Sequence, residues 1–316
     1  MFKFNEIKKE FPILKREVNG QKLHYLDNGA SSQKPNVVID AVKNCYQNEY
    51  SNVHRGLHFL SNLATENFEA VREKARKFLG AESGKEVIFT SGSTEGLNLI
   101  SYSWANKNLI QGDEIILTTL EHHANIVPWH FLRQRKNISI SWVDPDEDGN
   151  ISLAQIKKSI STKTKMVCFT HMSNVFGSIL NVKEICNFLR SKGIVSVVDG
   201  SQAAAHMKIN VKDIGCDFYV LTGHKIFGPT GTGVLYISGD RLSEMIPFNG
   251  GGDMIKSVTK DGVSYNDSPH KFEAGTPNIA EFIGLGSAFD FIESLDQKAV
   301  QEYENKLSDY ARLELG

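Results

Sequence analysis

The sequence predicts an α/β protein built on a mostly parallel sheet, and three observations carry that prediction. Seven short apolar runs rich in Val and Ile recur between residues 86 and 237: EVIFT, DEIILT, ISISWV, KMVCFT, VSVVD, FYVLT and GVLYI. Amphipathic stretches separate most of them, as expected for strands covered by helices on both faces. Polar or glycine-containing clusters sit at the ends of five strands: SGSTEG, TLEHHAN, HMSNVFG, DGSQ and GHK. In open α/β sheets ligands bind beyond the carboxyl ends of the strands, so the five clusters mark one site.

The other elements follow in order. A helix is expected after Pro35, in NVVIDAVKNCYQNEY, because proline suits the opening of a helix. A second covers about 62–79, NLATENFEAVREKARKFL, and Gly80 stops it. Further helical segments are EGLNLISYSWANK, ANIVPWHFLRQRK, SLAQIKKSI and VKEICNFLRSK, with a polar turn at DPDEDGN. From Ile279 onward the chain reads as two helices joined near Asp296.

Composition excludes several classes of function. The 316 residues exceed one ordinary core and suggest two domains. Hydrophobic residues make up 41% and charged residues 23%, ordinary for a globular protein. A net charge of −2 offers no basic field for nucleic acid or an anionic membrane. No apolar run approaches the roughly 20 residues of a membrane helix. The opening MFKFNEIKKEFPILKREV is broken by charges and does not read as a signal or transit peptide. Cys45, Cys168, Cys186 and Cys216 are scattered without CxxC pairing and lie in apolar contexts. They are expected as reduced core thiols of a cytoplasmic protein.

The clusters carry the chemistry. GSTEG, from Gly92 to Gly96, stands between a strand and a helix. Backbone N–H groups there, with the Ser93 and Thr94 hydroxyls, make an anion cradle; a capped tight turn is the alternative. It is no Walker A loop, because no Gly-Lys-Ser/Thr follows. Asp199 ends a strand, where it either caps the next helix or serves a ligand. Lys225 lies in TGHKIFGPTGTG between two strands. An amine desolvated there is lowered in pKa and can form a Schiff base; a surface turn lysine is the alternative. His122 could stack on a ring, and the His122–His123 pair has no third ligand at metal spacing, so no metal is expected. A phosphate cradle, an acid and a lysine together match the needs of pyridoxal 5′-phosphate (PLP): donors for the phosphate, a carboxylate for the ring nitrogen and an amine for the aldehyde.

The motifs NVHRGLHFLSNLAT, TSGSTEGLNLI, EHHANIVPW, THMSNVFG, DGSQA, TGHKIFGPTGTGVLY, GGDMI and FEAGTPNIA resemble the SUF-type (group II) cysteine desulfurases. These are class V aminotransferases of the fold-type I PLP enzymes, and the resemblance covers nearly the whole chain. It implies a PLP-binding large domain at 21–290, an N-terminal segment at 1–20 on the small-domain side, and a helical connection starting at 291–316. Lys225 would hold PLP as a Schiff base. Thr222 and His224, with Ser93 and Thr94, would hold its phosphate. Asp199 would pair with the ring nitrogen, Gln202 with the phenolic oxygen, and His122 would stack on the ring and assist proton transfer. Asn174 would contact the substrate carboxylate. Thr276 would reach the phosphate site of a partner subunit, implying a homodimer. His54 and Arg55 would line the substrate entrance near the dimer interface.

The implied reaction converts L-cysteine to L-alanine and an enzyme-bound persulfide, whose sulfur passes to a SUF-type acceptor for iron–sulfur cluster assembly. Selenocysteine lyase, with L-selenocysteine as substrate, is the alternative within PLP chemistry. A non-catalytic PLP-fold binding protein or inactive fragment is the alternative outside it. The family places its nucleophilic cysteine, and an arginine that clamps substrate, in a C-terminal small domain. None of the four cysteines stands in the family's R-x-G-H-H-C type of context, and the small domain is expected to be largely missing. The family also tends to have alanine where this chain has Gly29 and Ser201.

Overall fold

In the computed structural model, which describes residues 4–315, all seven apolar runs are strands of one sheet. They are β1 (Val87–Thr90), β2 (Glu114–Thr118), β3 (Ser139–Val143), β4 (Thr164–Thr170), β5 (Val195–Asp199), β6 (Phe218–Thr222) and β7 (Gly233–Ile237). Their spatial order is β1-β7-β6-β5-β4-β2-β3. The pairs β6–β5, β5–β4, β4–β2 and β2–β3 are parallel. β7 runs against both of its neighbours, β1 and β6. Every residue of β1, β5, β6 and β7 is buried. That is why these strands read as continuous apolar runs rather than alternating ones.

The main helices are α1 (Asn36–Asn44), α2 (Phe59–Leu79), α3 (Ser93–Leu99), α4 (Val127–Lys136), α5 (Leu153–Ser159), α6 (Val182–Ser191), α7 (Ile279–Glu293) and α8 (Gln297–Leu315). The sheet separates two apolar layers, and strand alternation assigns side chains to each. Val87 and Phe89 of β1, and Tyr219 and Leu221 of β6, join the layer with Phe68 and Phe282. Ile88, Phe218 and Val220 join the layer with Trp104 and Trp129. α7 packs on α1 and α2. The contact is close enough to require Gly284: a Cβ there would lie 2.6 Å from Val42 Cγ2.

Two features depart from the sequence expectation. α2 begins at Phe59, three residues early, because the His58 side chain accepts from Ser61 N and caps the helix. Histidine is outside the usual capping set, so the signal was hidden. Two exposed hairpins, 17–22 and 255–265, escaped notice because they have no apolar run. No helix of the described residues is long and apolar enough to cross a membrane.

Candidate active site

A cavity of about 530 Å³ opens where β1, β2, β4, β5 and β6 end. Nine of the residues singled out in the sequence line it: Ser93, Thr94, His122, Asn174, Asp199, Gln202, Thr222, His224 and Lys225.

Lys225 stands in a one-turn helix directly after β6. The peptide before it is pinned by four donors on the His224 carbonyl: Ser31 Oγ at 3.4 Å, Ser32 N and Oγ at 3.0 Å each, and Lys34 Nζ at 2.9 Å. The Lys225 amine itself makes no hydrogen bond or ion pair among the described residues. Burial holds its pKa below the ordinary lysine value, with Asp199 opposing the shift. A larger neutral fraction of the amine is a more nucleophilic one.

Asp199 ends β5, the strand beside β6. Its Oδ1 accepts from Ser201 N at 3.0 Å and from Ser201 Oγ at 2.6 Å. Its Oδ2 takes no hydrogen bond among the described residues, leaving an acceptor for the cavity.

The anion cradle starts α3. The first-turn N–H groups have no carbonyl partner within the helix. Gly92 adopts φ 150°, and a Cβ on Gly233 would sit 2.5 Å from Gly92 Cα, so β7 packs directly beneath the turn. Ser91 N is already taken by Glu95 Oε2 at 2.5 Å. Ser93 and Thr94 line the cavity with His224 and Thr222.

His122 caps a short turn after β2, where its Nδ1 accepts from Ala124 N at 3.1 Å. That bond places the ring proton on Nε2. Burial, then the charge of Lys225, lowers the His122 pKa, so the imidazole is neutral near pH 7. Gln202 Nε2 donates to the Gly29 carbonyl at 2.8 Å, and the second amide proton is left for a ligand.

These residues fit PLP. The Asp199 oxygen and the Lys225 amine are both without partners, hydroxyls and a helix start form the cradle, and the volume lies within the ordinary range for cofactor sites. The sequence profile of the family described as Aminotransferase class-V matches residues 24–316. The chain belongs to that family.

Aminotransferase class-V proteins with this fold are PLP-dependent enzymes, and the named relatives are cysteine desulfurases. The chain is 46% identical over 307 residues to a protein of Halalkalibacterium halodurans described as a probable cysteine desulfurase, covering 97% of this chain and 76% of that one. Among solved structures, the apo cysteine desulfurase of Thermococcus onnurineus is similar with a TM-score of 0.91 at 34% identity, covering 98% of this chain and 75% of the other. The Escherichia coli cysteine desulfurase CsdA gives 0.90 at 32%, covering 100% and 78%.

Three of the expected residues of this class V chain lie outside the cavity. Thr276 lines a neighbouring cleft of about 140 Å³ with Asn249 and Gly275. Arg55 pairs with Asp253 at 2.5 Å. His54 Nε2 lies 2.9 Å from Glu69 Oε1, and His270 completes a His–Glu–His group within 4.8 Å. Arg72 grips the same carboxylate through Nε at 2.8 Å and a second nitrogen at 3.1 Å. A fixed guanidinium on that carboxylate opposes a cation there.

All four cysteines are buried, and none lines the cavity. Burial pushes the Cys186 thiol up to about 12 and Cys168 and Cys216 well above their ordinary value. Thiols held protonated and out of reach are inert, as the apolar contexts of Cys216 and the others suggested.

Three residues of the site carried no assignment from sequence. Glu121 lies wholly buried behind His122, accepting from Thr118 Oγ1, Thr170 N and Asn125 Nδ2. Lys34 is drawn to the peptide of His224, and burial lowers its pKa to about 8. Ser201 ties Asp199 to Ser93, whose Oγ lies 2.6 Å from Ser201 Oγ. Glu121, as the lone acid opening the EHHAN cluster, and Ser201, in DGSQ two residues after Asp199, offered local signals; Lys34 and the Ser201–Ser93 link depend on partners distant in sequence.

Proposed function

We propose that this chain is the PLP-binding part of a cysteine desulfurase of the SUF type. It would act on L-cysteine as a homodimer in the cytoplasm and supply persulfide sulfur to an acceptor protein for iron–sulfur assembly. The observation that carries this reading is the convergence, in one cavity, of an unpaired half-buried amine, a carboxylate with one free oxygen and a hydroxyl-lined cradle.

Each residue has a task set by its position. Lys225 would hold the cofactor covalently, and its lowered pKa keeps it reactive. Ser93, Thr94, Thr222 and His224 would bind the phosphate. Asp199 would keep the ring nitrogen protonated, and Gln202 would donate to the phenolic oxygen. Bound PLP would supply an electron sink that weakens the bonds at the substrate α-carbon. Neutral His122 would stack on the ring and, with its proton on Nε2, would assist proton transfer there as a donor. Asn174 would orient the substrate carboxylate. Thr276 would reach the partner subunit's phosphate site, and His54 and Arg55 would line the substrate entrance near the dimer interface; exposed Leu57 and Phe59, next to them in sequence, support an interface.

A second reading is favoured by the cysteines. Sulfur abstraction requires a thiolate at the substrate, and no thiol of this chain reaches the cavity. The chain by itself would then bind cofactor and substrate without forming a persulfide, with L-selenocysteine as the alternative substrate.

The test combines a visible spectrum of the purified chain with PLP and intact mass after borohydride reduction. The reading expects a band near the visible edge and a cofactor adduct on Lys225. Absence of both overturns it. Sulfide release from cysteine with a reductant, lost in Lys225→Ala, separates the first reading from the second.

A further inference from the structure

We infer that Ser201 is a positioning residue, and that its hydroxyl couples the ring-nitrogen end of the site to the phosphate end through Ser93. The inference rests on the assignment of Asp199 and Ser93 to those two ends.

The three side chains form an unbroken buried line. Asp199, Ser201 and Ser93 are 5%, 7% and 7% exposed. Ser201 Oγ lies 2.6 Å from Asp199 Oδ1 and 2.6 Å from Ser93 Oγ. A carboxylate has no proton to give, so Ser201 must donate to Asp199. A hydroxyl has one proton. Ser201 therefore accepts from Ser93, and the only proton of Ser93 points along the chain and away from the cradle.

Two consequences follow. The first is orientation. With Ser201 N also on Oδ1 at 3.0 Å, both donors hold one oxygen, and Oδ2 of this cavity-lining carboxylate is left without a donor. The second is linkage. Hydrogen bonds in a chain strengthen one another. A phosphate in the cradle draws the Ser93 proton to itself, and Ser201 then becomes a weaker donor. Asp199 keeps more of its charge and holds a protonated ring nitrogen more tightly. An anion at one end thus improves binding at the other, with no movement of the backbone.

The coupling can be measured with the two halves of the cofactor supplied separately. Pyridoxal, which lacks the phosphate, is titrated into the cofactor-free protein with and without inorganic phosphate, and binding is read from the visible absorbance. In the wild-type chain phosphate should tighten pyridoxal binding. In Ser201→Ala that factor should fall roughly fivefold, the worth of one neutral hydrogen bond. Ser201→Thr, which keeps the hydroxyl, should restore it. In the PLP-loaded protein, the signal of a 15N-labelled ring nitrogen should shift in Ser201→Ala and not in Ser201→Thr. Equal phosphate factors in the wild type and Ser201→Ala, with an unmoved ring-nitrogen signal, overturn the inference. Asp199→Ala and Lys225→Ala keep the two questions apart. If both bind PLP as the wild type does, the site assignment itself fails. If both lose binding while Ser201→Ala shows the wild-type factor, only the coupling fails.

Discussion

At the scale of single residues, the site is a study in what burial does to charge. Lys225 and His122 are both shifted toward their neutral forms, and for the amine the neutral form is the nucleophile. Lys225→Ala should abolish the covalent cofactor adduct, leaving at most weak reversible binding, as intact mass after reduction would show. Glu121 is the harder case. Three donors favour its carboxylate, but complete burial outweighs them and pushes the group from 4.5 up to about 8. Between those values the folded chain holds a proton that the unfolded chain releases, so this residue's contribution to stability is lost as pH rises through about 8. Glu121→Gln removes the effect. Its Tm relative to wild type should rise by a few degrees between pH 5 and pH 8. Parallel Tm curves would show that Glu121 is ionised throughout.

At the scale of elements, the clearest device is Arg72 on α2. Its guanidinium holds Glu273 through contacts of 2.7 and 2.9 Å, holds Glu69, donates to the Val87 carbonyl at 3.0 Å and lies 4.2 Å from the Phe89 ring centroid. It joins α2, β1 and the segment leading to Thr276. With the side chain 5% exposed, removing it strands two carboxylates. Arg72→Met should cost about 3–5 kcal/mol in denaturant unfolding. A loss below 1 kcal/mol would mean that the carboxylates find water. Elements also show where the sequence was legible. The strands stood out because four of them are buried along their whole length and so read as apolar runs, and the five end clusters located the cavity because parallel strands put their carboxyl ends together. The spatial order of the strands was not legible, because nothing in GVLYI says that it runs backward between β1 and β6. Nor could the Ser201–Ser93 contact be read, since 108 residues separate the partners.

At the scale of the whole molecule, the proposed dimer makes a simple demand. Leu57 is fully exposed and Phe59 is 76% exposed, a few residues from the Arg55–Asp253 pair. A charge in that region, as in Phe59→Glu, should convert a dimer into a monomer in light scattering, while an unchanged mass would place any interface elsewhere. The sheet has a last consequence. Asp199 and Lys225 issue from adjacent parallel strands, with Asp199 level with Val220. The sheet therefore fixes the two points from which acid and amine depart, about 4.8 Å apart, and one short turn, tied down at the His224 carbonyl, carries the amine the rest of the way. Loops that do not hold that turn can be exchanged to alter which amino acid enters, while the interval between acid and anchor stays in calibration.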